Sequence, residues 1–303
     1  MLRPLAVLLL VLAGCAQRGL PTDLSIEARF PASPKADTLP RQLRVVTFNI
    51  HMEPAAKIAR GIKADRALRD ADVIVMQEVD RREPKGVPAD QWCSGACGVA
   101  KELGYYSVFA PGHGVPGGSH GVAVISRAPI TSASVIELPY FNVVFNSGRR
   151  VAMAVTLEVE GKPVTVYAVH LDNRLTVTDR RTQMLPVLAH AKRQQTPVII
   201  AGDFNTSPFT WIGHVIPVPT TTQDNRFEEL VRADGFDTPV TDSGPTFRYI
   251  GMKLDGIYTR GFETTKFAVA NAEYVSDHLA LWAQVQPRPE SSQAIAGAAS
   301  AAR

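Results

Sequence analysis

Pro197-Val-Ile-Ile-Ala-Gly202-Asp203-Phe-Asn205 is the stretch on which the reading of the fold turns. Val198 to Ala201 form a short apolar run with no polar face, so a strand there is covered on both sides. Gly202 then lets the backbone turn. Asp203 and Asn205 are left at the end of a buried strand, where neighbouring strand ends can gather polar groups in one cleft. Being two apart, they point the same way if the chain stays extended.

The same grammar recurs along the chain. Asp72-Val-Ile-Val-Met-Gln delivers Glu78, Arg44-Val-Val-Thr-Phe delivers Asn49, and Val164-Thr-Val-Tyr-Ala-Val delivers His170. Lys253-Leu-Asp255-Gly and Ser276-Asp277-His278 punctuate two further β-type runs. Taken singly, Glu78 reads as a solvated residue, Asn49 as a turn former and His170 as a structural histidine. Taken together, Glu78, Asp203, Asp255 and Asp277 imply carboxylates crowded at one sheet end. Such carboxylates repel unless a cation sits among them, and Asp, Glu and Asn oxygens suit a hard one such as Mg²⁺. A neutral histidine at that end can donate to or protonate a leaving oxygen. Asp277 and His278, adjacent on an extended chain, face opposite ways and serve different partners.

Strands are expected at Leu43–Phe48, Val73–Met76, Val122–Ser126, Val151–Val159, Val164–Val169, Val198–Ala201, Gly256–Thr259 and Leu279–Val285. Gly161-Lys162 reads as the turn of a hairpin between two of them. Helical spacing is visible in Ala55–Leu68, in Thr178–Arg193 with Pro186 as a kink or late start, and in Phe227–Asp234. Many strands and few helices point to two sheets packed on each other with helices outside. Arg81–Cys97, Pro111–Ser119 and Trp211–Gln223 read as irregular loops, either functional or tolerated surface insertions. The apolar Trp211-Ile-Gly-His-Val-Ile either packs on the core or faces a membrane.

The chain has 303 residues and a formal charge of +3, too small to argue for nucleic acid on its own. At the N-terminus, Arg3 precedes an apolar run from Leu5 to Leu12, too short to span a bilayer, and Ala13-Gly14-Cys15 follows. Residues 1–14 read as an export signal, 15–41 as a Pro-rich tether, 42–286 as the folded body and 287–303 as a disordered tail. Leu12-Ala-Gly-Cys15 resembles the lipobox of bacterial lipoproteins. That resemblance implies cleavage before Cys15, a diacylglycerol on its sulfur, and membrane anchoring in the bacterial cell envelope, at the periplasmic face of the outer membrane. In an oxidising compartment Cys93 and Cys97 read as a disulfide or as two free thiols.

Seven motifs occur in order between about residues 43 and 285: Thr47-Phe-Asn49-Ile-His51, Gln77-Glu78-Val, Gly121-Val-Ala-Val-Ile-Ser-Arg-Ala-Pro-Ile, Val169-His170-Leu-Asp, Gly202-Asp203-Phe-Asn205, Leu254-Asp255-Gly-Ile and Ser276-Asp277-His278. As a set they resemble the endonuclease/exonuclease/phosphatase superfamily, of DNase I-like fold. The resemblance implies an α/β four-layer sandwich of two packed, mainly antiparallel sheets flanked by helices. It also implies Mg²⁺- or Mn²⁺-dependent hydrolysis of a phosphoester, in nucleic acid or a phospholipid head group, with no protein partner evident. By position, Glu78 is the main metal ligand with Asn49 and Asp277 beside it. Asp203 orients or deprotonates the attacking water, and Asn205 holds a phosphate oxygen. Asp255 polarises His278, while His170 contacts the phosphate or donates a proton. Arg150 is the nearest match for a positive side chain at the phosphate. Two departures are extra histidines, His51 and His120. A further reading, a non-catalytic surface lipoprotein, is disfavoured because no member of the motif set is lost.

Overall fold

The computed structural model describes residues 26–142, 148–213, 215–220, 223–270 and 275–289. The export signal, Cys15 and most of the tail lie outside the described residues. Among the described residues, no helix is long and apolar enough to cross a membrane.

Among the described residues, fourteen strands build two large sheets and a small hairpin. The strands are β1 (Glu27–Arg29), β2 (Leu43–Asn49), β3 (Val73–Arg82), β4 (Tyr106–Val115), β5 (Gly118–Ser126), β6 (Ile130–Glu137), β7 (Val151–Val159), β8 (Lys162–His170), β9 (Val198–Asp203), β10 (Phe209–Ile212), β11 (Ile216–Pro219), β12 (Asp255–Arg260), β13 (Phe262–Ala270) and β14 (Ala280–Pro287). One sheet has the order β1-β4-β5-β3-β2-β14-β13, the other β12-β9-β8-β7-β6, and β10 pairs with β11 alone. All eight expected strands form. Pairing is antiparallel except for β2 with β3 and β8 with β9, one parallel pair in each large sheet.

Period-two patterning sorts the side chains into layers. Val45, Val73, Val75 and Val124 point between the sheets, where they meet Val155, Val166 and Ile199. Their neighbours Val46, Ile74 and Met76 point outward, under Ile58, Ile62 and Val99 of the helices Ala55–Ala64 and Gly95–Leu103. On the far side Tyr167, Ile200 and Tyr258 pack under Met184, Leu188 and Phe227, from the helices Val177–Lys192 and Gln223–Ala233. The result is a helix–sheet–sheet–helix sandwich. Pro186 sits inside the third of these helices. The expected helix over 55–68 is interrupted at Asp65, whose carboxylate caps the short helix Arg66–Arg69 by accepting from Ala67 N and Leu68 N.

Four local expectations are corrected. The β7–β8 turn is built by Glu160 and Gly161, the pair with positive φ, rather than by Gly161 and Lys162. Pro111–Ser119 is not a loop: β4 and β5 run through it as an antiparallel hairpin. Arg81–Cys97 starts as the end of β3, and Cys93 is bonded to Cys97. Residues 26–41 are not free tether. Glu27–Arg29 add a strand to β4, the Glu27 carboxylate accepts from Ser94 N and Oγ, and Leu39 is buried beside Val159. The folded body thus begins before residue 42.

Candidate active site

The two parallel pairs end at the same place. β2 ends on Asn49, and its parallel pairing with β3 stops at Gln77, one residue before Glu78; β8 and β9 end on His170 and Asp203, while β12 starts at Asp255 and His278 lies just before β14. Strands buried on both faces force polar groups to their ends, and the sandwich brings these ends from both sheets into one cleft.

Glu78 reaches the cleft through a β-bulge. The register slips between Met76 and Val79, and Glu78 takes φ 54°, a left-handed conformation that costs a non-glycine residue about 1–2 kcal/mol. Asn49, fully buried, donates from Nδ2 to Glu78 Oε1 at 3.3 Å and to Asp203 Oδ2 at 3.0 Å, while its Oδ1 accepts from His51 N. Asn49 thereby holds two carboxylates together across the two sheets.

Gly202 serves clearance rather than a turn. It stays within β9, and a Cβ there would lie 2.0 Å from the carbonyl oxygen of Val169. The turn falls at Asn205, with φ 52°. Its N donates to Asp203 Oδ1 at 2.9 Å and its Nδ2 to Leu171 O at 2.9 Å. Asp203 and Asn205 are therefore not on one extended face; the side chain of Asp203 is held by the backbone of Asn205.

Two imidazoles converge on Asp203. His170 Nε2 lies 3.7 Å and His278 Nε2 3.8 Å from Asp203 Oδ2, too far for a direct hydrogen bond. The far side of each ring fixes its proton. Arg150 Nη1 lies 2.9 Å from His170 Nδ1. A guanidinium only donates, so Nδ1 accepts and Nε2 carries the hydrogen. Burial, then the Arg150 charge, hold His170 well below its usual pKa, so it is a neutral donor facing the cleft. His278 Nδ1 instead bonds Asp255 Oδ2 at 2.9 Å. Burial opposes its protonation, but the carboxylates of Asp255, Asp203 and Asp277 outweigh it and raise the His278 pKa. Asp203 moves upward too, through burial and the Asp255 charge.

A model of the endonuclease/exonuclease/phosphatase family matches residues 46–278. The chain belongs to the endonuclease/exonuclease/phosphatase family. Members of this family are phosphoester hydrolases. Solved structures agree in fold. A family protein from Leptotrichia buccalis C-1013-b is 21% identical with a TM-score of 0.62, covering 80% of this chain and 99% of its own. Another from Beutenbergia cavernae DSM 12333 is 25% identical at 0.61, covering 82% and 72%. The catalytic domain of human Nocturnin is 19% identical at 0.58, covering 83% and 96%. No curated protein sequence matches.

Arg150, expected at the phosphate, is buried, with its Nε on Asp172 Oδ1 at 3.0 Å and its Nη1 2.9 Å from His170 Nδ1. Asn49, expected beside the metal with Glu78 and Asp277, donates to Glu78 and Asp203 through Nδ2 and accepts from His51 N through Oδ1. Asp277 sits beside the end of β2: Ser276 Oγ donates to Asn49 O at 2.8 Å and lies 3.3 Å from Asp277 Oδ1. Asp277 Oδ1 is also 3.7 Å from His51 Nδ1, so Asp277 and His278 do serve different partners. Among the described residues the tightest group of metal-capable atoms is Asp203, Asp255 and His278, all within 4.8 Å of one another. There, however, Asp255 and His278 already bind each other.

His113 is the residue that sequence reasoning passed over. It is buried, stacked on His120 with ring centroids 5.1 Å apart, and its Nδ1 lies 3.2 Å from Arg149 O. His120 Nδ1 in turn is 3.6 Å from Asp80 Oδ1. Together they wall the side of the cleft behind His170. Reading Pro111–Ser119 as loop hid this, and the bulge between Pro111 and His113 breaks the period of two that would have revealed its face.

Proposed function

We propose that this chain is a divalent-metal-dependent hydrolase of phosphodiester type, working by attack of an activated water on phosphorus. One observation carries the reading. Two imidazole Nε2 atoms of opposite character, a neutral donor on His170 and a charge-held ring on His278, flank one oxygen of a buried carboxylate, Asp203, at 3.7 and 3.8 Å. Asp203 suits the water, because burial raises its affinity for a proton. His170, locked as an Nε2–H donor, and His278, tied to Asp255, suit the charge that develops on phosphoryl and leaving oxygens.

The donors at the mouth fit a hard cation. Glu78 and Asp277 offer carboxylate oxygens, Glu78 is partly open to solvent, and cysteine is absent from the set. Mg²⁺ or Mn²⁺ held by Glu78 and Asp277, with Asn49 beside it, would supply charge stabilisation to the phosphate. Asn205 stands next to Asp203 with one Nδ2 hydrogen beyond its bond to Leu171 O, in place to touch a phosphate oxygen. The lipobox-like Leu12-Ala-Gly-Cys15 supports a lipid-anchored protein at the periplasmic face of the bacterial outer membrane.

A panel tests this: plasmid DNA, RNA, sphingomyelin, phosphatidylinositol phosphates, a phosphomonoester and bis-p-nitrophenyl phosphate, each with Mg²⁺, Mn²⁺ or EDTA. A diester should be cleaved with metal and spared with EDTA. Equal rates with and without EDTA would remove the metal from the account, and cleavage of the monoester alone would remove the diester.

A further inference from the structure

Apolar side chains are exposed at two tips that flank one cavity. At the β10–β11 tip, Ile212 is 59%, Val215 44% and Ile216 59% exposed; on the loop between Thr246 and Met252, Tyr249 is 77% and Ile250 61% exposed. Pro208 and Thr220 at the base of the hairpin, and Pro245 and Gly251 at the base of the loop, line the same cavity of about 480 Å³. The bases of the hairpin and of the loop therefore border one opening. Single exposed apolar residues are ordinary, but five on two adjoining tips mark an interaction surface.

That opening adjoins the catalytic end. The Phe247 ring lies 5.2 Å from that of His278, and Arg174, in the segment after His170, lies over Trp211 of the hairpin. The path of the N-terminal chain points the same way. Arg29 pairs with Ser107, Ser107 with Ile125 and Ile125 with Ile74, whereas Glu27 is linked through Phe109 and Ala123 to Met76. From Arg29 back to Glu27 the chain thus climbs from the level of Ile74 to that of Met76, toward Glu78. The Ser94 contacts of Glu27 fix this exit. Ten residues separate Cys15 from Ile26, a contour of at most about 40 Å.

We propose that the catalytic end docks on a lipid bilayer, with Ile212, Val215, Ile216, Tyr249 and Ile250 entering the head-group region and the cavity mouth turned to the membrane. The chemistry at that mouth rests on the hydrolase reading above, and the proposal adds that its phosphoester is presented from a membrane surface. Apolar tips gain by leaving water, and a tyrosine, apolar in body and polar at its tip, suits the interface. The short N-terminal segment, leaving from the same end, would hold this face toward the membrane that carries the lipid.

The test uses residues 15–303, the chain expected after removal of the export signal, carrying Cys15→Ser so that it cannot be acylated, and large vesicles of phosphatidylethanolamine and phosphatidylglycerol. The chain should sediment with vesicles. Adding Ile216→Asp with Ile250→Asp should lower the bound-to-free ratio at least tenfold, while turnover of bis-p-nitrophenyl phosphate stays within twofold. Tyr249→Asp alone should weaken binding in the same direction. Equal sedimentation with and without these substitutions, or no sedimentation of the Cys15→Ser chain, overturns the docking. Binding is read without turnover, so an inactive chain that still sediments supports the docking while refuting the activity.

Discussion

Arg150 and His170 show how one contact decides a residue's chemistry. Because Arg150 Nη1 must donate, His170 is the Nε2–H tautomer, and burial keeps it neutral. Arg150→Met should leave Asp172 with Gln183, which already donates to it at 2.8 Å, and release the ring of His170. We expect kcat to fall about 10²-fold with KM little changed, in steady-state kinetics on a diester. Arg150→Lys, without the planar fork, should recover only part of that loss. His113 carries a second prediction. Burial, aided by the Arg150 charge, lowers its pKa to about 4, against 6.5 in the unfolded chain. The unfolded state then binds more protons between those values, so stability should fall as pH drops from about 6.5 to 4, by at most about 3 kcal/mol from this group. Denaturant midpoints across that range should show the slope, and His113→Phe should make it shallower without abolishing it, because His120 and His170 are lowered as well. The identity of most site residues was legible in the sequence, since Glu78, His170 and Asp203 each close an apolar run. Their conformations were not: neither the left-handed Glu78 nor the buried lock on Arg150 follows from spacing.

At the scale of elements, the site depends on two parallel strand pairs inside otherwise antiparallel sheets. β8 and β9 approach so closely at Val169 and Gly202 that any Cβ at 202 strikes the Val169 carbonyl. Gly202→Ala should therefore destabilise the protein by roughly 1–3 kcal/mol and displace Asp203, lowering both the thermal midpoint and kcat. A fully active, unshifted variant would show that the contact relaxes freely. Hydrophobic runs revealed the strands because buried strands need them. The β4–β5 hairpin escaped notice because Gly and Pro dominate residues 111–119, and these usually break strands. Here Gly121 lacks a Cβ where one would strike the Ala110 carbonyl, so the glycine permits close pairing instead of a turn. The β1 strand was hidden likewise, since three residues among prolines carry no period to read.

For the molecule as a whole, neither sheet contains the site. One contributes Asn49 and Glu78 and leads into His278 before β14; the other contributes His170, Asp203 and Asp255. The sandwich is what closes the 3.0 Å bond from Asn49 to Asp203, between residues 154 apart in sequence. The family resemblance carried by the seven motifs implied the architecture. The pairings across the sheets, and the docking of residues 26–41 onto the body, arise from tertiary packing that no local pattern encodes. On the proposed function, Glu78 and His278 act on one phosphorus in a metal-dependent cleft. The most direct test is hydrolysis of bis-p-nitrophenyl phosphate with Mg²⁺ or Mn²⁺ by the parent chain, Glu78→Ala and His278→Ala, with folding checked by thermal melts. The parent should turn over and stop with EDTA, and each variant should stay folded and lose at least about 10²-fold in kcat/KM. Folded variants that both keep the parent's rate would contradict the assignment.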